Sequence, residues 1–432
     1  MPKQKPSTPA TRPLTERQVN AAYAIARERY AAFGVNTDRA VAAALAVPIS
    51  VQCWQADDVR GLEHVEGALD TGGLQATGNY PGAARTGDEI RQDFDQAAKW
   101  MPGKLHFNLH AMYAETAGKT VPRDEIEPRH FSRWVDWAKG RRMGLDFNPT
   151  CFAHPMVKDG LTLASDDKAV RAFWIRHCLA CRAVARAMAR ALGPCVTNIW
   201  IPDARKDSTV DRWGPRRRLL AALDEILARK QPGVVDSVES KLFGIGGEDY
   251  TVGSLEFYLS YAVSRGVMIC FDTGHFHPTE SVADKISSAL LYLDKILLHV
   301  SRGVRWDSDH VALATDETQA LCDEAVRGRA VERIYWATDY FDASINRVGA
   351  WVIGVRALRK SLLRAMLEPW ELHARAEYEG RGADKLALLE RRDEMPVGAV
   401  WDYACLTAGV PTGVSWLRDL GAYEKRVLSR RG

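Results

Sequence analysis

Val234-Val235-Asp236-Ser237-Val238-Glu239, Val267-Met268-Ile269-Cys270-Phe271-Asp272, Ile296-Leu297-Leu298-His299 and Ile334-Tyr335-Trp336-Ala337-Thr338-Asp339 are four short apolar runs, each closing on a side chain that can ionise. β-Branched and aromatic residues crowd them, and none is long enough for an ordinary helix, so each reads as a buried strand. Helical patterns separate them at Ser254–Ser264, Ser281–Leu293 and Thr315–Arg327. Strand and helix in strict alternation is the signature of parallel β/α units.

Working outward, Val47–Trp54, Leu105–His110, Leu145–Asn148 and Val196–Ile201 supply four more strands, with helical patterns at Asp88–Trp100, Phe131–Lys139, Lys168–Leu192 and Pro215–Lys230. Eight such units over more than ~250 residues predict an α/β fold, a (β/α)8 TIM barrel. Strand order is not written in a sequence, so a doubly wound open sheet is the alternative. Thr15-Glu16-Arg17-Gln18 is a capping box opening a first helix that runs to Ala32. Residues 1–14, rich in proline and lysine, read as a disordered tail, 15–370 as the barrel domain, and 371–432 as a C-terminal helical extension for assembly.

At 432 residues and 46% hydrophobic content the chain can bury a large core. Its net charge of +3 is spread over interleaved acidic and basic residues, which disfavours nucleic acid as a partner. No apolar run approaches the roughly 18 residues of a membrane span, and the start lacks a secretory apolar segment, so a cytoplasmic enzyme is expected. The eight cysteines are scattered, as suits reduced thiols. The connection from Gln55 to Gly87 contains seven glycines and far exceeds the usual length of a βα loop, which predicts an active-site lid.

In a parallel barrel, chemistry sits where the strands end. Here four successive strands end in Glu239, Asp272, His299 and Asp339. Anions gathered at the mouth of an apolar barrel repel one another and lose hydration, so a cation is needed to hold them ionised. Oxygen-rich ligation with one nitrogen favours Mn2+ or Mg2+ before Zn2+. His275 and the pair Asp307 and Asp309, in the loop after the seventh strand, could hold a second ion. Singly each has a blander reading, a core histidine or a turn; together they point to metal. Other motifs weigh less. Asp70-Thr71-Gly72 and Asp272-Thr273-Gly274 spell the loops of aspartic proteases, but those enzymes are all-β. His177-Cys178-Leu179-Ala180-Cys181 lies inside a long helical pattern and reads as core. A two-metal phosphodiesterase would carry a basic surface, a glycosidase would need no metal, and a sugar-binding protein would need no pair of cations.

Longer stretches carry a resemblance. Gly78-Asn79-Tyr80-Pro81-Gly82, Asp146-Phe147-Asn148-Pro149, Asn198-Ile199-Trp200-Ile201-Pro202-Asp203, Glu239-Ser240-Lys241-Leu242-Phe243, Gly274-His275-Phe276-His277-Pro278-Thr279-Glu280 and Val304-Arg305-Trp306-Asp307-Ser308-Asp309-His310 resemble the L-rhamnose isomerase family, nearly throughout the chain. The resemblance implies a structural metal on Glu239, Asp272, His299 and Asp339 and a catalytic metal on His275, Asp307 and Asp309, with Mn2+ as the cofactor, two divalent ions per subunit, and Mg2+, Co2+ or Zn2+ as substitutes. It implies that His110 and Lys241 meet sugar hydroxyls and that Trp54, Phe152 and Trp200 wall the deoxy methyl end. It further implies a homotetramer that interconverts L-rhamnose and L-rhamnulose. On this reading His110, Lys241 and Asp339 serve catalysis, and the reaction is a metal-assisted 1,2-hydride shift.

Overall fold

The computed structural model describes residues 13–63, 76–241, 249–277, 279–304 and 306–431, and of 306–309 the backbone alone. Most of the predicted tail and the centre of the predicted lid, 64–75, lie outside the described residues. The eight anticipated strands are β1 (Ile49–Gln52), β2 (Leu105–His110), β3 (Gly144–Asn148), β4 (Cys195–Ile199), β5 (Val234–Glu239), β6 (Met268–Asp272), β7 (Ile296–Val300) and β8 (Ile334–Thr338). They pair in parallel in the order β3-β2-β1-β8-β7-β6-β5-β4. The pairing that decides the architecture joins first strand to last, Ile49 opposite Trp336 and Val51 opposite Thr338. A cyclic order of this kind is a barrel, and it excludes the open doubly wound sheet.

The ring closes by an unusual device. Among the described residues β3 and β4 lie side by side without a backbone ladder. Instead Asp146 Oδ1 accepts from the Val196 amide at 2.8 Å, and Asn148 Oδ1 accepts from the Asn198 amide at 2.9 Å. Two side chains from one strand thus supply the acceptors that carbonyls supply elsewhere, and buried amides are left with partners.

Thr15 and Gln18 satisfy each other at the start of helix Glu16–Ala31 as the capping box requires. Helix Thr37–Ala46, capped by the Asn36 side chain, was not anticipated. β1 is shorter than expected, because the chain turns at Cys53–Ala56 into a 3-10 helix. The loop expected after β7 is an antiparallel hairpin, Arg302–Val304 against Trp306–His310.

At the N-terminal end of the barrel, its floor, a cavity of about 600 Å3 is lined by Pro48, His106, Asp146, Leu297 and Tyr335 among others. Asp146 is well partnered there: Ser50 Oγ donates to it at 2.6 Å and the His106 ring lies 3.4 Å away. Gly144, opposite His106 on β3, makes room for that ring, since a Cβ would come within 2.4 Å of it. Fully buried Arg359, on helix Arg347–Met366, donates to the carbonyls of Ala44, Val47 and Lys104 and so ties helix Thr37–Ala46 to the starts of β1 and β2.

The C-terminal helices fold back onto the barrel. Tyr403 stacks on Tyr23 with ring centroids 3.6 Å apart, Trp416 lies against Trp100, and Arg431 donates to buried Asp93 at 2.8 Å. Among the described residues no helix is long and apolar enough to cross a membrane.

Candidate metal centre

Side chains alternate along a strand, so residues two apart share a face. On β5 that places Glu239 above Ser237, and on β6 Asp272 above Cys270. Register brings Asp272 opposite His299 of β7, and places Ala337 of β8, two residues before Asp339, opposite His299 as well. The four strand-end residues named from the sequence therefore converge at the C-terminal mouth.

The distances bear this out. His299 Nδ1 lies 3.0 Å from Asp339 Oδ2, 3.2 Å from Glu239 Oε2 and 3.8 Å from Asp272 Oδ2. His275 joins them, its Nδ1 3.2 Å from Glu239 Oε1 and 2.9 Å from the Ser240 carbonyl. Among the described residues three overlapping sets could hold a cation, each with ligand atoms within 4.8 Å of one another: Glu239, Asp272 and His275; Asp272, His299 and Asp339; Glu239, Cys270 and His299. Asp307 and Asp309 lie on the hairpin strand Trp306–His310, and their side chains fall outside the described residues.

The electrostatics show what the cluster lacks. Burial pushes the Asp272 carboxyl up to about 7, His275 opposes that rise, and Glu239 and Asp339 add to it. Asp339 is raised too, chiefly by burial. Burial would also raise Glu239, but the His299 and His275 rings hold it well below the usual carboxylate range. His299 moves the other way: burial alone would lower it, and Cys270, Glu239 and Asp339 outweigh that and drive it up. Both ring nitrogens of His299 and Asp339 Oδ1 are buried without a hydrogen-bond partner, because the short approaches to His299 lack hydrogen-bond geometry. Buried polar atoms in this state are costly. Hard oxygen donors with imidazole, several of them orphaned, fit a divalent cation such as Mn2+ or Mg2+.

Around the carboxylates stands a wall of rings. Trp54, Phe152 and Trp200 all line the small cavity at the mouth, as do His110 and Phe341. Phe152 meets Trp200 edge-on at 5.8 Å, and the Trp54 ring stacks on His110 at 4.1 Å. Burial, helped by His299, depresses His110 to about 3, which leaves a neutral imidazole whose Nδ1 has no partner. Lys241 is buried two residues beyond Glu239, and its Nζ donates to the Pro202 carbonyl at 3.2 Å. It is not among the residues lining the mouth cavity.

Almost the whole chain matches a known family. Residues 17–431 match L-rhamnose isomerase (RhaA). The chain belongs to the L-rhamnose isomerase family. L-rhamnose isomerases of Escherichia coli, from strain K12 and from O17:K52:H18 (strain UMN026 / ExPEC), are each 53% identical to this family member over 418 residues, 96% of its length and 99% of theirs. Solved structures give a fainter likeness. An L-ribulose 3-epimerase aligns at a TM-score of 0.46 with 14% identity, covering 73% of this chain and 95% of that one. A D-psicose 3-epimerase with D-tagatose from Clostridium cellulolyticum H10 aligns at 0.41 with 14% identity, covering 65% and 91%.

Sequence reasoning passed over three residues at the mouth of this family member. Asn148 and Asn198 line the cavity, and Asn198 Nδ2 donates to Glu239 Oε2. Phe341 meets Trp54 edge-on at 5.8 Å. Their signal was present: both asparagines occupy strand ends, as Glu239 does, but an uncharged amide does not announce chemistry in the way a carboxylate does.

Proposed function

We propose that the protein interconverts L-rhamnose and L-rhamnulose, as a metal-dependent aldose–ketose isomerase. The observation that carries this reading is the convergence of Glu239, Asp272, His299 and Asp339 at 3.0 to 3.8 Å around one imidazole, in a chain 53% identical over almost its full length to L-rhamnose isomerases. We assign Glu239, Asp272, His299 and Asp339 to one ion and His275 with Asp307 and Asp309 to a second, with Mn2+ the natural occupant and Mg2+, Co2+ or Zn2+ able to replace it. Bound cations of this type withdraw electron density from sugar oxygens and ease loss of their protons.

The chain's own residues do the rest. Trp54, Phe152 and Trp200 exclude water from the reacting carbons and pack against the methyl end of the sugar. His110, neutral and accepting from the Asn148 amide at Nε2, carries its proton on the open Nδ1, from which it donates to a sugar oxygen and fixes the substrate's orientation. Lys241, buried behind the cavity lining two residues beyond Glu239, is assigned to add positive potential toward the oxygens where negative charge develops. Asp339, with Oδ1 unpartnered, completes the polar floor on which the hydroxyls rest. A hydride passes from C2 to C1 while a proton moves from O2 to O1, so that aldose becomes ketose with no gain or loss of atoms. The enediol route would need a free base at C2, and Glu239 is committed to Asn198, His275 and His299.

The test uses L-rhamnose deuterated at C2. Retention of the label in L-rhamnulose, together with loss of turnover on chelation and its return with Mn2+, is the expected result; quantitative washout to solvent would overturn the hydride shift. We also assign the protein to the cytoplasm, the barrel to 15–370, and the helices of 371–432 to assembly of a homotetramer. Tyr378 and Leu386, 89% and 61% exposed on those helices, support the last assignment. Light scattering of the purified chain decides it.

A further inference from the structure

Beneath the hard donors lies a soft one. Cys270 is one layer below Asp272 on β6, and the stagger of the strands sets it directly opposite Glu239. Its Sγ, a Glu239 oxygen and a His299 nitrogen lie within 4.8 Å of one another, and all three side chains are at least nine-tenths buried. His299, 2% exposed, contributes one ring nitrogen to this set, and neither of its ring nitrogens has a hydrogen-bond partner. The ordinary reading of Cys270 is a core side chain, and on its lower side it does pack with Met268, Leu297 and Ala337. An apolar filler, however, would not be expected to share a cage with a carboxylate and an unpartnered imidazole.

We propose that Glu239, Cys270 and His299 form a second coordination set that takes a thiophilic divalent cation, Zn2+ or Cd2+, one layer deeper than the oxygen-rich set. Sulfur discriminates between cations where carboxylates do not: Mn2+ and Mg2+ gain little from a thiolate, whereas Zn2+ and Cd2+ gain much. Binding forms a metal–sulfur bond and breaks the S–H bond, the proton leaving to solvent, with no change of oxidation state. Because Glu239 and His299 belong to both sets, a cation held low withdraws two ligands from the upper position. The site therefore acts as a trap through which soft cations antagonise hard ones.

The experiment titrates the full-length, metal-free protein with Cd2+ and follows the ultraviolet thiolate-to-cadmium charge-transfer band. One saturable equivalent is expected, and Cys270→Ser and Cys270→Ala are expected to remove the band and weaken Cd2+ binding at least about tenfold. The rise in melting temperature that Mn2+ gives should survive in both variants, which shows them folded. No band in the unaltered protein, or an undiminished band in both variants, would overturn the proposal, the latter by assigning the thiolate to another cysteine. Turnover is read separately: failure to isomerise L-rhamnose with Mn2+ sinks the functional reading and leaves the cadmium result standing.

Discussion

One strand carries two histidines four residues apart, and the two ends of the barrel treat them oppositely. At the floor His106 is raised: burial opposes the charge, but Asp146 at 3.4 Å prevails. At the mouth His110 is pressed down to about 3 by burial, with His299 adding to it. The carboxylates differ in the same way. Asp146 at the floor is met by Ser50, the Val196 amide and His106, whereas Asp339 Oδ1 at the mouth meets nothing. Both ends bury ionisable groups, but the mouth leaves some of them, the His299 nitrogens and Asp339 Oδ1, without a hydrogen-bond partner from the protein. A buried charge the protein has neutralised belongs to architecture; one it has left exposed to its neighbours awaits a ligand.

The strongest way to break this contrast is to neutralise the mouth. Asp339→Asn should lower kcat for L-rhamnose at least about a thousandfold. The same change should raise the melting temperature of the metal-free protein by about 2 °C, because it removes a repelled carboxylate. A fall in that temperature would mean the mouth is as self-sufficient as the floor. Next in size is the floor. Asp146→Leu orphans the Val196 amide and the Ser50 hydroxyl and should cost about 3 kcal/mol in denaturant unfolding, with the Mn2+ affinity of the folded protein unchanged.

The aromatic wall gives a smaller effect. Trp200→Ala should raise KM for L-rhamnose more than for the sugar lacking its methyl group, a difference worth about 1–3 kcal/mol. Equal changes for both sugars would remove Trp200 from the methyl pocket.

The two histidines sharpen the comparison through pH. His106, with its folded pKa above the usual value of about 6.5, adds stability that is present below that pH and is lost as pH rises through the folded value. His110 does the reverse: the unfolded chain takes up a proton below about 6.5 that the native ring refuses until about 3, so native stability falls as pH drops through that interval. Melting curves of metal-free His106→Gln and His110→Gln should therefore depart from that of the unaltered protein in opposite directions on the acid side, the first variant being the less stable there and the second the more resistant to acid. Parallel curves would erase the distinction.

The barrel was legible because its strands are buried on both faces and read as unbroken apolar runs, with helical spacing between. The convergence of candidate metal ligands was legible because a carboxylate or imidazole closing such a run has no apolar explanation. The alternation stopped short at β1, where Cys53 and Trp54 look like strand and instead form a turn. Helix Thr37–Ala46 was passed over because its pattern directly adjoins the first apolar run. Asn148 and Asn198 were missed for a different reason. What they do depends on the neighbour across the β3–β4 gap, and that neighbour is fixed only once the ring is closed.

The gap itself has a consequence. Asn148 reaches toward His110 Nε2 at 3.4 Å with one end of its amide and holds the Asn198 backbone with the other, and the Asn198 side chain grips Glu239. The stave-to-stave clasp and the seating of the Glu239 carboxylate are thus one continuous linkage of two amides. Loosening the hoop at the Asn148–Asn198 joint would slacken the grip on Glu239.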